Sequence, residues 1–76
     1  MTKEEFRAAL DELSLSQMEV ARLLKISDRA ARRYASGDAE IPGPVEMMLR
    51  LWLEIPEMID VVRRLGAEAN KRGGSK

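Results

Sequence analysis

Apolar residues recur along this chain at the three- and four-residue spacing of amphipathic helices. No segment alternates apolar and polar residues in the manner of a half-buried strand. Five apolar stripes can be distinguished, and each is bounded by a capping residue, a glycine or a proline. The pattern therefore predicts an all-α fold of five short helices with tight connections.

Capping residues predict where the first three helices start. Thr2 and Ser16 are each followed three residues later by a glutamate, which is the capping-box pattern. Ser27 is a favourable N-cap, and Gly37 is a typical helix stop. We therefore expect helices 1, 2 and 3 to begin at the two capping boxes and at Ser27, and helix 3 to end at Gly37.

Prolines and glycines organise the second half of the chain. Residues 38–44, with the sequence DAEIPGP, are typical of a loop, and Pro44 suits the first position of helix 4. Pro56 ends helix 4 and can start helix 5, and apolar content falls after Gly66. We expect one domain over residues 1–66, in which helices 4 and 5 cover about 44–66, and a flexible basic tail over residues 67–76.

Composition excludes several kinds of chemistry. The chain has 76 residues and is 45% hydrophobic, which suffices for one modest core. It contains no cysteine and no histidine, so disulfides, thiolate chemistry and the usual zinc and haem ligands are excluded. Asp11 and Glu12 point to different helix faces, and no glycine-rich phosphate loop is present. We expect no enzyme activity, no metal and no cofactor. The first turn, TKEEF, is polar, and the chain has no long apolar run, so we expect neither a signal peptide nor a membrane segment. We therefore expect a cytoplasmic protein.

The formal net charge is zero, but the charges are segregated along the chain. Residues 14–37 carry five basic and two acidic side chains, whereas residues 38–60 carry one basic and six acidic ones. Residues 61–76 are again basic, with five basic side chains and one acidic. A polyanion responds to the local field and not to the chain total, so the basic patches remain compatible with nucleic-acid binding.

Helices 2 and 3 are joined by a turn too short to let them lie antiparallel. They must cross steeply, as in a helix-turn-helix unit. Such a crossing needs a small residue on helix 2, which Ala21 supplies, and an apolar residue in the turn, which Ile26 supplies. Ala31 and Tyr34 then fit as apolar anchors on the inner face of helix 3.

The outer face of helix 3 is basic. Arg29, Arg32, Arg33 and Ser36 follow one another at i, i+3, i+4 and i+7, so they form one stripe. Such a stripe is usually a solvated face with acidic partners, but no acidic residue follows in the rest of this helix. Arginine is the side chain that most often reads guanine in the major groove, and the first turn of helix 2, at Gln17, suits a phosphate.

The segment LSQMEVARLLKISDRAARRYASG resembles the helix-turn-helix of the lambda-repressor-like, Cro/C1-type family of phage and bacterial regulators. The resemblance covers residues 3–55 and includes the five-helix layout. Two positions depart from the family pattern: Lys25 replaces a usual glycine and so needs a positive φ, and Ala31 replaces a usual valine or isoleucine. The stretch SDRxxRxY also resembles small anti-CRISPR-associated repressors of that family.

The resemblance implies a compact, five-helix lambda-repressor-like domain whose helix-turn-helix spans residues 16–37 and binds double-stranded DNA. It implies that bases are read by the start and outer face of helix 3, namely Ser27, Asp28, Arg29, Arg32 and Arg33. It implies phosphate contacts from Ser16, Gln17, Ser36 and Gly37. The expected protein is a transcriptional regulator of a bacterial or phage-infected cell, associated with the nucleoid when bound.

We further expect a homodimeric repressor or autorepressor that occupies an inverted-repeat operator and occludes a promoter. The apolar face of helix 5 and parts of helix 4 have little else to cover in so small a domain. They predict a dimer interface of Trp52, Ile55, Met58, Ile59 and Val62. No membrane and no small-molecule ligand is expected. The alternative function is a protein-interaction module such as an antitoxin-type regulator. The C-terminal basic residues have two possible roles, a second DNA contact or a favourable interaction with the helix dipole; they are Arg63, Arg64, Lys71 and Arg72.

Overall fold

The computed structural model describes the backbone of residues 1–74 and the side chains of residues 1–67. The elements are α1 (Lys3–Glu12), α2 (Gln17–Leu24), α3 (Asp28–Ser36), α4 (Gly43–Glu54) and α5 (Met58–Gly74). Residues 1–74 contain no strand. The predicted all-α fold of five helices is therefore confirmed. None of the helices in this range is both long and apolar enough to cross a lipid bilayer.

All three predicted N-caps are confirmed. Thr2 Oγ1 accepts a hydrogen bond from the amide of Glu5 at 3.1 Å, and the Glu5 carboxylate accepts one from the amide of Thr2 at 2.8 Å. The same reciprocal pair joins Ser16 and Glu19 at 3.0 Å in both directions. Ser27 Oγ accepts from the amide of Ala30 at 3.0 Å. Each cap satisfies amides that have no partner inside the helix.

The first three helices end in a left-handed residue. Lys25 follows α2 with φ 59° and Gly37 follows α3 with φ 87°, as the sequence predicts. Ser14 follows α1 with φ 57°, which the sequence did not indicate. After it, Leu15 is buried and donates its amide to the carbonyl of Leu10 at 2.8 Å. This is the Schellman arrangement, in which the residue after the left-handed position bonds back into the last turn.

Ser14→Gly is expected to raise the free energy of unfolding by about 0.5–1 kcal/mol. A side chain at positive φ costs about 1–2 kcal/mol, and the extra entropy that glycine brings to the unfolded chain offsets part of the gain. Ser14 is exposed, so no packing is lost. Urea unfolding followed by circular dichroism measures the change, with Ser14→Ala as the control because alanine keeps the strained Cβ. Equal stability of the glycine and alanine variants would contradict the conclusion that Ser14 is strained by its positive φ.

The core lies where α1, α3 and α4 meet α2 and the start of α5. Its largest fully enclosed side chains are Phe6, Val20, Leu49 and Trp52. The predicted contact between α2 and α3 is present, because Ala21 and Ala31 are 1% and 0% exposed and these two helices make the most extensive contact in the fold. Small side chains at both positions let the two backbones approach closely.

Tyr34 links α3 to α1. Its ring meets the ring of Phe6 edge to face, with centroids 6.0 Å apart and an interplanar angle of 75°. This geometry is the favoured one for aromatic pairs. The inner face of α3 therefore packs on α2 through Ala31 and on α1 through Tyr34. These two contacts fix the orientation of α3, so its outer face points away from both helices.

Two expectations about the C-terminal half are wrong. Trp52 and Ile59 were expected at a dimer surface, but they are 0% and 8% exposed and belong to the core of a single chain. The reason is that α4 and α5 bury part of their apolar faces against each other and against α1 and α2. Among the remaining predicted interface residues, Ile55 is exposed, and Met58 and Val62 are half-buried.

The end of α5 also differs from the expectation. The backbone is helical to Gly74, beyond the predicted end at Gly66, because the residues that follow, AEANKR, include good helix formers and a single glycine costs a helix only about 1 kcal/mol. The tail predicted over residues 67–76 is thus helical as far as Gly74. Side chains beyond Ala67, including Lys71 and Arg72, lie outside the described residues. Helix α4 starts at Gly43, so Pro44 occupies its second position and not its first.

Candidate nucleic-acid interface

Helix α3 separates its buried and exposed residues sharply. Ala31 and Ala35 are buried, whereas Arg29, Arg32 and Arg33 are exposed on the opposite side. We call these three arginines the arginine face. Its direction is set by the packing of α3 on α2 and α1, so the guanidinium groups stand on a rigid support and not on a loop. The predicted base-reading arginines are therefore brought together on one surface.

The arginine face carries no acidic partner within residues 1–67. The salt bridges in this range join Glu46 to the N-terminal ammonium and to Arg50, and Glu19 to Arg63. None involves α3. Arg33 Nη2 donates to the carbonyl oxygen of Asp38 at 3.3 Å, which is a neutral acceptor. The arginine face thus keeps its full charge, and each guanidinium offers up to five N–H donors to a ligand.

The start of α3 adds two polar residues to this face. Ser27 Oγ caps the helix by accepting from Ala30, and its hydroxyl proton can still be donated to a ligand. Asp28 is the first helical residue and is exposed. A carboxylate here suits the positive end of the helix dipole, and it can accept a hydrogen bond from the amino group of cytosine but not from a phosphate. The charge of Asp28 therefore favours a base edge over the DNA backbone, whereas the Ser27 hydroxyl can donate to either.

The first turn of α2 is the second part of the candidate interface. Gln17 is exposed, and the amides of Gln17 and Met18 have no acceptor inside the helix. The hydroxyl and the amide of Ser16 are engaged with Glu19. Free amides at a helix start bind oxyanions, so this turn can hold a phosphate through Gln17.

A carboxylate stands beside this turn. The backbone N–H of Ser16 donates to Glu19 and, together with the Ser16 hydroxyl, lowers the pKa of that carboxyl, so Glu19 is ionised at neutral pH. Arg63 Nη2 on α5 lies 3.7 Å from Glu19 Oε2. The pair is exposed and weak, but the Arg63 guanidinium partly offsets the negative charge of Glu19 beside the first turn of α2. The sequence suggested a DNA contact or a helix-dipole role for Arg63. It did not predict this ion pair, because no local pattern connects residues that lie so far apart in sequence.

The C-terminal end of α3 is closed by internal hydrogen bonds. The amide of Gly37 donates to the carbonyl of Arg33 at 3.0 Å, and so does that of Asp38 at 2.9 Å. Ser36 Oγ donates to the same carbonyl at 3.2 Å. The expectation that Gly37 contacts phosphate is corrected by this geometry, since its only donor is already used. Ser36 can bind phosphate only by giving up its bond to Arg33.

Lys3 supplies a positive charge at this end instead. Its side chain packs across Gly37, so that a Cβ added to the glycine would stand 2.9 Å from Lys3 Cδ. A cation near the end of a helix suits the negative end of the dipole. Sequence reasoning missed Lys3 because α1 and the end of α3 come together only in the folded chain. It adds one cation at the C-terminal end of α3, next to the exposed carboxylates of Asp38 and Glu40.

Two further features of the described part of the chain bear on metal and ligand binding. No group of three or more acidic, histidine or cysteine side chains there could hold a metal ion. A groove of about 580 Å³ lies between α2 and α5 and is open to solvent, with Ala21, Ile26 and Val62 in its lining.

Comparison of the chain with protein-family models, curated proteins and solved structures finds no match. The resemblance to a known family therefore depends on the residues of α2, α3 and their connection.

Proposed function

We propose that this protein binds double-stranded DNA in a sequence-specific manner, with α3 in the major groove. The observation that carries the proposal is the arginine face, which is exposed, unpaired with carboxylates in residues 1–67 and held by buried Ala31. The major groove admits a helix and displays guanine O6 and N7, which arginine binds with two hydrogen bonds. Asp28 can add a contact to cytosine.

We further propose that the protein is a homodimeric, cytoplasmic transcriptional repressor, associated with the nucleoid when bound. Two copies of α3 related by a two-fold axis read an inverted repeat with half-sites about 34–36 Å apart, or a multiple of that distance. Occupation of a promoter by a dimer is sufficient for repression. The acidic residues of α4, such as Glu46 and Glu54, lie on a different helix from the arginine face, and we expect them to face away from the DNA.

Selection from a pool of duplexes with a randomised core tests the proposal directly. We expect the wild-type protein to enrich a G·C-containing inverted repeat. The Kd for the enriched duplex should rise steeply with salt, because arginine contacts to phosphates release counterions. Failure to enrich any sequence, together with a Kd that does not depend on salt, would contradict DNA binding.

Gln17→Ala is expected to weaken binding to all duplexes by a similar factor, roughly three- to tenfold, and to leave base preference unchanged. The reason is that Gln17 lies at the start of α2, where a phosphate and not a base edge is within reach. Fluorescence anisotropy with the selected duplex and with a scrambled one measures both affinities. A loss confined to the selected duplex would instead place Gln17 among the base-reading residues.

A further inference from the structure

The outer side of α4 carries an uncovered apolar line. Met47 and Leu51 of α4 and Ile55, which directly follows the helix with φ −131°, are 67%, 39% and 44% exposed, and they follow one another at four-residue spacing. We call these three residues the α4 stripe. The other large exposed apolar side chains of residues 1–67, Met18 and Leu65, are single residues on α2 and α5. A continuous apolar line on a small domain is typical of a surface that another protein covers.

One edge of the α4 stripe is charged with both signs. Arg50 and Glu54 are exposed and lie one helical turn apart on the same edge. Arg50 Nε donates to Glu46 Oε2 at 2.8 Å, so its two terminal nitrogens remain available. Within residues 1–67, Glu54 takes part in no salt bridge. The edge thus presents a cation and an anion in a fixed order along the helix.

This order is complementary to itself when two α4 helices run antiparallel. If the two copies of Leu51 meet on a two-fold axis that passes between the helices, Met47 of each copy faces Ile55 of the other. The charged edges then lie on the same side of the pair. Arg50 of one copy comes within about 3 Å, measured along the helix axis, of Glu54 of the other copy. Both copies gain the same ion pair, because a two-fold contact uses the same surface twice.

We propose that the α4 stripe binds the α4 stripe of a second copy of this chain, in an antiparallel two-fold pair with Arg50 and Glu54 bonded across it. The proposal deepens the proposed homodimeric repressor by naming its interface. It replaces the surface expected from the sequence, since Trp52 and Ile59 are buried within one chain and only Ile55 of that set belongs to the stripe. A single helix pair is a small interface, so Kd is expected in the micromolar range.

Sedimentation velocity without DNA tests the surface, at protein concentrations from about 1 μM to about 200 μM, which bracket that Kd. The wild-type protein should change from monomer to dimer across this range. Leu51→Glu should remain monomeric, because dimerisation would bury two carboxylates against each other. Leu65→Glu is the matched control, since it places the same charge on an exposed leucine of α5, and it should dimerise like the wild type. Circular dichroism shows that both variants are folded.

A charge exchange tests the antiparallel geometry. Arg50→Glu alone puts like charges against each other in the pair, and so does Glu54→Arg alone, so each variant should dimerise at least about tenfold more weakly than wild type. An equimolar mixture of the two variants should form a heterodimer, because every contact across the pair then joins opposite charges. The double variant, Arg50→Glu with Glu54→Arg, should also recover dimerisation.

Three results would overturn the proposal. They are a wild-type monomer at all concentrations, loss of the dimer in Leu65→Glu but not in Leu51→Glu, and no heterodimer in the mixture. None of them depends on DNA. Dimerisation through α4 without sequence-specific DNA binding would support the proposed interface and contradict the proposed function. Sequence-specific DNA binding by a monomer would support DNA binding and contradict the proposed interface.

Discussion

Trp52→Ala is expected to lower the free energy of unfolding by about 3–5 kcal/mol, which is most of the stability that a core of this size provides. Trp52 is 0% exposed and is among the largest fully buried side chains of the chain. Its removal leaves a cavity between α4 and the rest of the core, which the short helices cannot collapse to fill. The variant should be largely unfolded at 37 °C, as measured by urea unfolding followed by far-ultraviolet circular dichroism.

Trp52→Phe provides the matched control. Phenylalanine keeps most of the apolar volume and removes the indole Nε1, which has no hydrogen-bond partner among the described residues. A buried unsatisfied N–H costs about 1–3 kcal/mol, so its removal offsets part of the lost packing, and a net loss of about 1–2 kcal/mol is expected. If Trp52→Ala unfolded at the wild-type urea concentration and changed only the oligomeric state, Trp52 would be an interface residue after all.

Arg29→Ala is expected to raise the Kd for the selected duplex by roughly ten- to a hundredfold, equivalent to about 1–3 kcal/mol. Arg29 lies in the first turn of α3, is exposed, and forms no salt bridge within residues 1–67. Its two-pronged contact with guanine has no substitute in the shortened side chain. Preference at one base pair should be lost, which selection from a duplex pool randomised at single positions will show.

Two comparisons separate base reading from charge. Arg29→Lys keeps the positive charge but not the planar fork, so it should bind with nearly the wild-type salt dependence and still lose discrimination at that base pair. Arg64→Ala removes one exposed cation that lies on α5 and not on the arginine face, so Kd should rise less than in Arg29→Ala and the preference at that base pair should remain. Arg29→Ala binding the selected duplex as tightly as wild type would end the argument for the arginine face.

Features decided within a few residues could be predicted from the sequence. The caps at Thr2, Ser16 and Ser27 need only a side chain and an amide three positions later, so the local pattern contains both partners. The positive φ of Lys25 follows from a helix that must stop before Ile26 can enter the core. The arginine face follows from the three- and four-residue spacing of its arginines on one helix. These arginines must be exposed once Ala31, on the opposite side of the helix, is buried in the core.

Features that depend on distant partners were missed or misassigned. The spacing of α4 shows that Trp52 and Leu51 lie near an apolar face, but it does not show which part of that face a neighbouring helix covers. Packing against α1 and α5 buries Trp52 and leaves Leu51 39% exposed, so the surface available to a second copy shifts around the helix. The pairing of Glu19 with Arg63 likewise joins two helices that no local pattern connects.

By itself, then, the sequence determined the five helices, the starts of α1, α2 and α3 and the basic outer side of α3, because hydrogen bonds and side-chain periodicity act over three or four residues. The tertiary structure alone decided that Lys3 lies beside Gly37 and that the apolar line on α4 remains uncovered. Burial depends on which surfaces meet, and that is settled only when all the helices pack into one core.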